Sequence, residues 1–91
     1  MTCRLVLPAA LRDCAGGRRE LEASGTTVRE VLDDLALHLP VLERRLRDES
    51  GRLRQHVLIF VDGVGVRGSA ELDTPVGVDA EIFVAPAVSG G

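Results

Sequence analysis

One stretch of this 91-residue chain dictates most of what the rest can become. Val28, Val31, Leu32, Leu35 and Leu39 recur at helical spacing and make a single apolar stripe, while Arg29, Glu30, Asp33 and Asp34 face elsewhere. Thr27 and Glu30 fit a Thr-x-x-Glu capping box, and Pro40 stops the helix. An amphipathic helix of this length draws its stability from a second layer against which to bury its stripe. The segments on either side have a period of two, so that layer is a sheet.

Cys3 to Leu7 reads as a first strand, stopped by Pro8. A loop containing Leu11 runs to Gly16-Gly17. Arg18 to Ala23 then alternates, with Glu20 and Glu22 on one side and Leu21 and Ala23 on the other, and pairs with the first strand as an antiparallel hairpin. Past Pro40, Val41 to Leu46 has room for a short extra helical turn with Arg44, Arg45 and Arg47 exposed. Asp48 to Arg54 is a polar loop around Gly51. His56 to Val61 is the most hydrophobic strand and is expected at the sheet centre. Asp62-Gly63 is a two-residue hairpin turn returning into Val64 to Arg67. Leu72 to Val78 is irregular, and Ala80 to Ala85 is the last strand, ended by Pro86. The expected fold is α+β: a mixed four- to five-stranded sheet with one main helix on one face, the pattern of a β-grasp. The chain divides into a folded body, residues 1–86, and a flexible C-terminal tail, residues 87–91.

Composition removes several classes of function. Phe60 and Phe83 are the only aromatic residues, so stacking platforms for single-stranded nucleic acid are nearly absent. A net charge of −3 argues against a phosphate-binding surface, and Asp48 and Glu49 follow the arginines at 44, 45 and 47. Cys3 and Cys14 form no Cys-x-x-Cys pair; Cys3 reads as a small buried residue and Cys14 as a loop thiol. His38 and His56 are isolated, and Asp33 and Asp34 read as a solvated helix face. No nucleophile–base pair or metal constellation is visible, so the chain is expected to be no enzyme and to bind no metal. Arg4, Pro8, Arg12 and Asp13 interrupt any signal-peptide core, and the longest apolar run, Val57 to Val61, is far too short to span a bilayer. A cytoplasmic location without membrane association is expected.

The end of the chain is more specific. After Pro86 come Ala87, Val88, Ser89, Gly90 and Gly91, without a bulky or charged side chain. Gly91 has no Cβ, so a nucleophile and a nucleotide can approach its carbonyl unhindered, and Gly90 reaches backbone angles closed to other residues. The five residues span roughly 17 Å when extended, enough to enter a narrow channel while the body stays outside. A terminal carboxylate is unreactive until activated, and the chain has no phosphate-binding glycine loop followed by Lys or Arg. Activation therefore belongs to another protein. Ordering the tail costs on the order of 5–10 kcal/mol, so the body should offer a docking face. Val57, Ile59, Val61, Ile82 and Val84 are expected toward the helix, leaving Leu58, Phe60, Phe83 and Ala85 on the open face of the sheet.

These features resemble the ubiquitin-like sulfur carriers of the ThiS and MoaD family over nearly the whole chain. The resemblance rests on Leu11-Arg12, Gly16-Gly17, the Thr27-Val28 helix start, the Val57 to Gly63 strand and turn, and above all Pro86-Ala87-Val88-Ser89-Gly90-Gly91. Within the family the chain is most similar to the CysO-type carriers, with Ser89 where these often have Ala, and with a different Glu49 to Arg54 loop. The resemblance implies that an E1/MoeB-like adenylating and sulfur-transferring partner, using ATP and Mg²⁺, converts the Gly91 carboxylate to an acyl-adenylate. Persulfide or sulfide then replaces AMP and leaves a thiocarboxylate. It further implies a sulfur-acceptor enzyme such as a PLP-dependent cysteine synthase, and a metalloprotease that releases the product. Two alternatives stand beside it. One is a protein modifier joined through Gly91 to a target lysine; since all 11 basic residues of this chain are Arg, it could not build side-chain-linked chains of itself. The other is a non-catalytic β-grasp interaction domain.

Overall fold

The structure, a computed structural model, describes residues 2–86. Its elements are β1 (Thr2–Val6), a 3-10 helix (Ala9–Ala15), β2 (Glu20–Ser24), α1 (Val28–His38), α2 (Pro40–Leu46), β3 (Val57–Val61), β4 (Val64–Val66), a second 3-10 helix (Gly68–Glu71) and β5 (Glu81–Pro86). The five strands form one sheet in the order β2-β1-β5-β3-β4. β1 and β5 run parallel and the other neighbours antiparallel, which is the mixed sheet of a β-grasp. The sheet centre is β5, and β3 lies one place nearer the edge, contrary to expectation. The apolar run of β3 reports residues on both faces of the sheet, not the strand's lateral position.

α1 forms where its signals lie. The Thr27 side chain accepts a hydrogen bond from the Glu30 amide at 3.1 Å. The reciprocal half of the capping box is displaced by one residue, because the Glu30 carboxylate accepts from the Thr26 amide and hydroxyl, both at 2.8 Å. The backbone and side-chain bonds from Thr26 hold the Glu30 carboxyl below its usual pKa. This contribution is present above the unfolded carboxyl pKa and is lost as pH falls through the lower folded one. The Val28 and Arg29 amides donate to the carbonyls of Thr74 (3.1 Å) and Leu72 (2.8 Å), so the irregular segment before β5 straps the helix start. Gly25 allows the entry: a Cβ there would stand 2.7 Å from the Val31 nitrogen.

The core lies between the sheet and the helices. Val28, Val31, Leu32 and Leu35 meet Leu5, Ile59, Ile82 and Val84, all at most 2% exposed. The extra turn after Pro40 is a full helix, and its Leu42 and Leu46 are completely buried in the same core. The segment after Pro8 is a 3-10 helix and not a loop; it carries Cys14, which is partly buried against the core. The Asp62-Gly63 turn has positive φ at both residues (49° and 87°), the geometry that matches the twist of a two-residue hairpin.

Arg47 departs from the expected solvated position. It is 7% exposed and donates to Glu43 at 2.8 Å and to Asp33 at 2.9 Å, tying α2 to α1. Burial opposes its charge, but the bonds to Glu43 and Asp33 outweigh burial and raise its pKa. Asp33 keeps most of its solvent access, yet it is a structural acceptor and not simply part of a wetted face.

Candidate functional site

The alternation along β3 and β5 divides the sheet as the residue pattern requires. Val57, Ile59, Val61, Ile82 and Val84 point into the core. Leu58 and Phe83 are 42% and 41% exposed on the opposite face, and Phe60 and Ala85 are half-buried there. Antiparallel register sets Phe60 opposite Phe83 and Leu58 opposite Ala85. The two rings lie 6.4 Å apart between centroids at 35°, within the range of a favourable aromatic pair. On its other side Phe60 faces Gly65, and its Cε2 lies 3.5 Å from where a Gly65 Cβ would stand. The ring leans over the bare glycine, which is why Phe60 is less exposed than Phe83.

Val6 extends the patch. Parallel pairing of β1 with β5 sets it beside Phe83, half-buried on the same face. Sequence reasoning missed this neighbour because a strand's alternation does not reveal which distant strand it pairs with. Toward the start of β5 the patch ends at the Arg4–Glu81 ion pair, 3.6 Å. Toward the end of β5 it reaches Ala85, one residue before Pro86, whose register partner is Val57. The apolar surface thus adjoins the point from which the chain continues. Among the described residues neither α-helix covers it, since α1 and α2 both pack on the other face.

Ala87, Val88, Ser89, Gly90 and Gly91 lie outside the described residues, so the structure places only their point of departure. A cavity of about 150 Å³ opens beside that point, lined by Leu11, Arg45, His56, Val57 and Ala85 among others. It brings together Arg45 and His56, which the linear sequence leaves unrelated. Cys3 is 2% exposed; burial raises its thiol pKa, and its Sγ donates to the Ala23 carbonyl at 3.5 Å, so it is an inert core residue. His38 places Nδ1 3.0 Å from the Asp34 carbonyl oxygen on the exposed side of α1. Among the described residues no three His, Cys, Asp or Glu side chains are grouped to hold a metal, and no helix is long and apolar enough to cross a membrane.

Comparison with known proteins returns the same outline. Residues 5–91 match the model of the ThiS family. The sulfur carrier protein CysO of Mycobacterium tuberculosis is 34% identical over 93 residues, an alignment that takes in the whole of both chains. Its crystal structure superposes with a TM-score of 0.85 at 33% identity, covering 94% of this chain and 99% of that one. A chain in the crystal structure of the Amycolatopsis orientalis BexX/CysO complex gives 0.85 at 31% identity, covering 98% and 99%. The solution structure of small archaeal modifier protein 1 from Methanosarcina acetivorans gives 0.80 at 32% identity, covering 99% and 96%.

Proposed function

We propose that this chain, which belongs to the ThiS family, is a sulfur carrier that holds its cargo as a thiocarboxylate on Gly91. The full-length likeness to CysO carries this reading. The chain is a co-substrate whose own residues present an acyl group, and the chemistry is done on it by partners. In the first step a Gly91 carboxylate oxygen attacks the α-phosphorus of ATP on the activating enzyme and pyrophosphate leaves; Mg²⁺ there offsets the phosphate charge. In the second, sulfide attacks the acyl carbon, the bond to AMP breaks, and the carbonyl carbon keeps one oxygen and one sulfur. Where an enzyme persulfide is the attacking group, a thiol then cleaves the sulfur–sulfur bond, releasing the thiocarboxylate and a disulfide.

The body's part is recognition. Leu58, Phe60, Phe83 and Ala85 form the face by which an E1/MoeB-like partner holds the chain while residues 87–91 reach its active site. A relative in the BexX/CysO complex supports a carrier that works bound to a second protein. Burying the exposed part of Phe83 is worth about 1.5 kcal/mol, roughly tenfold in affinity. Phe83→Ser is therefore expected to weaken binding to the activating enzyme about tenfold and to change the unfolding midpoint little, as read by calorimetric titration and denaturant melts. Phe60→Ser is expected to lose more stability, because its ring also packs on Gly65. Equal losses of stability and binding for Phe83→Ser would make it a core residue and overturn the docking assignment.

The sulfur is handed on as a nucleophile to an acceptor enzyme, a PLP-dependent cysteine synthase being the acceptor that the CysO-type likeness favours, with a metalloprotease freeing the product. The likeness to small archaeal modifier protein 1 favours a second reading, in which the same activated Gly91 is joined to a lysine of another protein. Intact-mass analysis of the chain incubated with ATP, a sulfide source and its activating enzyme separates the two. The expected product is the chain with one oxygen exchanged for sulfur at Gly91. Adducts to protein lysines without that exchange would favour the modifier.

A further inference from the structure

We propose that the free edge of β2 is a second docking site, which takes an extended basic segment of a partner protein as a sixth strand lying between β2 and α1. The Leu7 amide donates to the Arg19 carbonyl at 2.9 Å, which sets the phase of the β1–β2 ladder. Arg19, Leu21 and Ala23 turn their backbone groups toward β1, and Glu20, Glu22 and Ser24 turn theirs outward. The outward Ser24 amide is taken by the Asp34 carboxylate of α1 at 3.1 Å. Among the described residues nothing meets the outward N–H and C=O groups of Glu20 and Glu22. They border a groove of about 820 Å³ between the strand and the helix.

The groove selects its occupant by charge and by period. Leu35 of α1 and Leu39 just after it, with Leu21, give it an apolar floor. Asp34 lends the groove a carboxylate from α1 and engages His38 at 3.3 Å, Arg18 stands at one end, and Glu20 and Glu22, paired with Val6 and Arg4 of β1, set their side chains along the opposite face of the same edge. An added strand sets alternate side chains beside Glu20 and Glu22 and the intervening ones over the leucines. It therefore needs Lys or Arg alternating with apolar residues. A second copy of this chain does not fit. Two-fold pairing of β2 edges centred on Glu20, Leu21 or Glu22 sets at least one Glu against another Glu in every case, a device that blunts an open edge against self-association. The site is separate from the Leu58/Phe83 face, since β1 lies between β2 and β5.

The test is a titration of the full ¹⁵N-labelled chain with the blocked peptide Lys-Val-Lys-Val-Lys, followed by amide shifts and hydrogen exchange. Expected are shifts and slowed exchange at Glu20 and Glu22, and neither with Glu-Val-Glu-Val-Glu. Glu22→Pro removes an outward N–H that the β1 ladder does not use, so it is expected to fold and to abolish binding. Glu20→Lys with Glu22→Lys, which keeps every backbone group, is expected to weaken binding at least tenfold and decides the matter should the proline variant misfold. Shifts confined to the Leu58/Phe83 face, binding retained by these variants, self-association through β2, or no binding at millimolar peptide would each overturn the proposal. None of these results bears on whether Gly91 carries sulfur.

Discussion

A chain lacking Gly91 is expected to accept no AMP from its activating enzyme while unfolding at the same denaturant midpoint as the full chain. The two halves of this result have separate causes. Stability rests on a core whose last members are Ile82 and Val84, and the described ladder closes at the Val57–Pro86 pair. Gly91 lies five residues beyond Pro86 in sequence, outside the described residues. The truncated chain still ends in a glycine carboxylate, that of Gly90, so its intrinsic reactivity is the same. What it loses is reach, roughly 3.3–3.6 Å for one extended residue. An in-line attack on phosphorus needs reacting atoms about 3–3.5 Å apart, so one residue's shortfall removes the reaction geometry entirely. Pyrophosphate exchange into ATP measures the step directly. Gly91→Ala keeps the reach and adds a Cβ beside the acyl carbon; it is expected to retain part of the rate. A truncated chain that still exchanges at the full rate would place the activated group elsewhere.

The difference between what was legible in the sequence and what was not follows from the range of each interaction. The inward set of β3 and β5 was readable because alternation is a property of one strand and a buried face tolerates no exception: Ile59 and Val84 are at most 1% exposed. The α1 start was readable because Thr27 and Glu30 act within one turn. The Asp62-Gly63 hairpin was readable because positive φ at adjacent residues restricts the side chains allowed. The misses depend on partners distant in sequence. β5 at the sheet centre, Val6 beside Phe83 and Arg47 buried against Asp33 all require knowing which segments meet. Arg47 shows the limit most plainly. Between Leu46 and Asp48 it has the local look of a surface residue; Glu43, one turn back, supplies one acceptor, and only the approach of α1 to α2 brings Asp33, the second that its burial requires.

Leu35→Asp is expected to abolish cooperative folding, and Leu37→Asp, the same change two positions along the same helix, to leave it intact. Leu35 is 2% exposed in the middle of the core and Leu37 is 81% exposed. At position 35 the substitution forfeits the leucine's burial, about 2–5 kcal/mol, and places a carboxylate among apolar side chains at a further cost of several kcal/mol. A domain of this length is stabilised by roughly 5–14 kcal/mol in all, so the two losses together take most or all of it. At position 37 the carboxylate stays in water, and the change is expected within about 0.5 kcal/mol. Val57→Asp, on the facing strand, is expected to behave as Leu35→Asp does, because Val57 is 7% exposed on the same side of the sheet. Circular dichroism and amide dispersion read all three. The pH dependence distinguishes a buried charge from a merely missing leucine. Burial raises the folded-state pKa of an introduced Asp above its unfolded value, so the folded state binds the proton more tightly and the variant gains stability as pH falls. Partial refolding of Leu35→Asp on acidification, with no such change in Leu37→Asp, is the expected signature. A folded Leu35→Asp at neutral pH would mean that the apolar stripe of α1 does not hold the sheet.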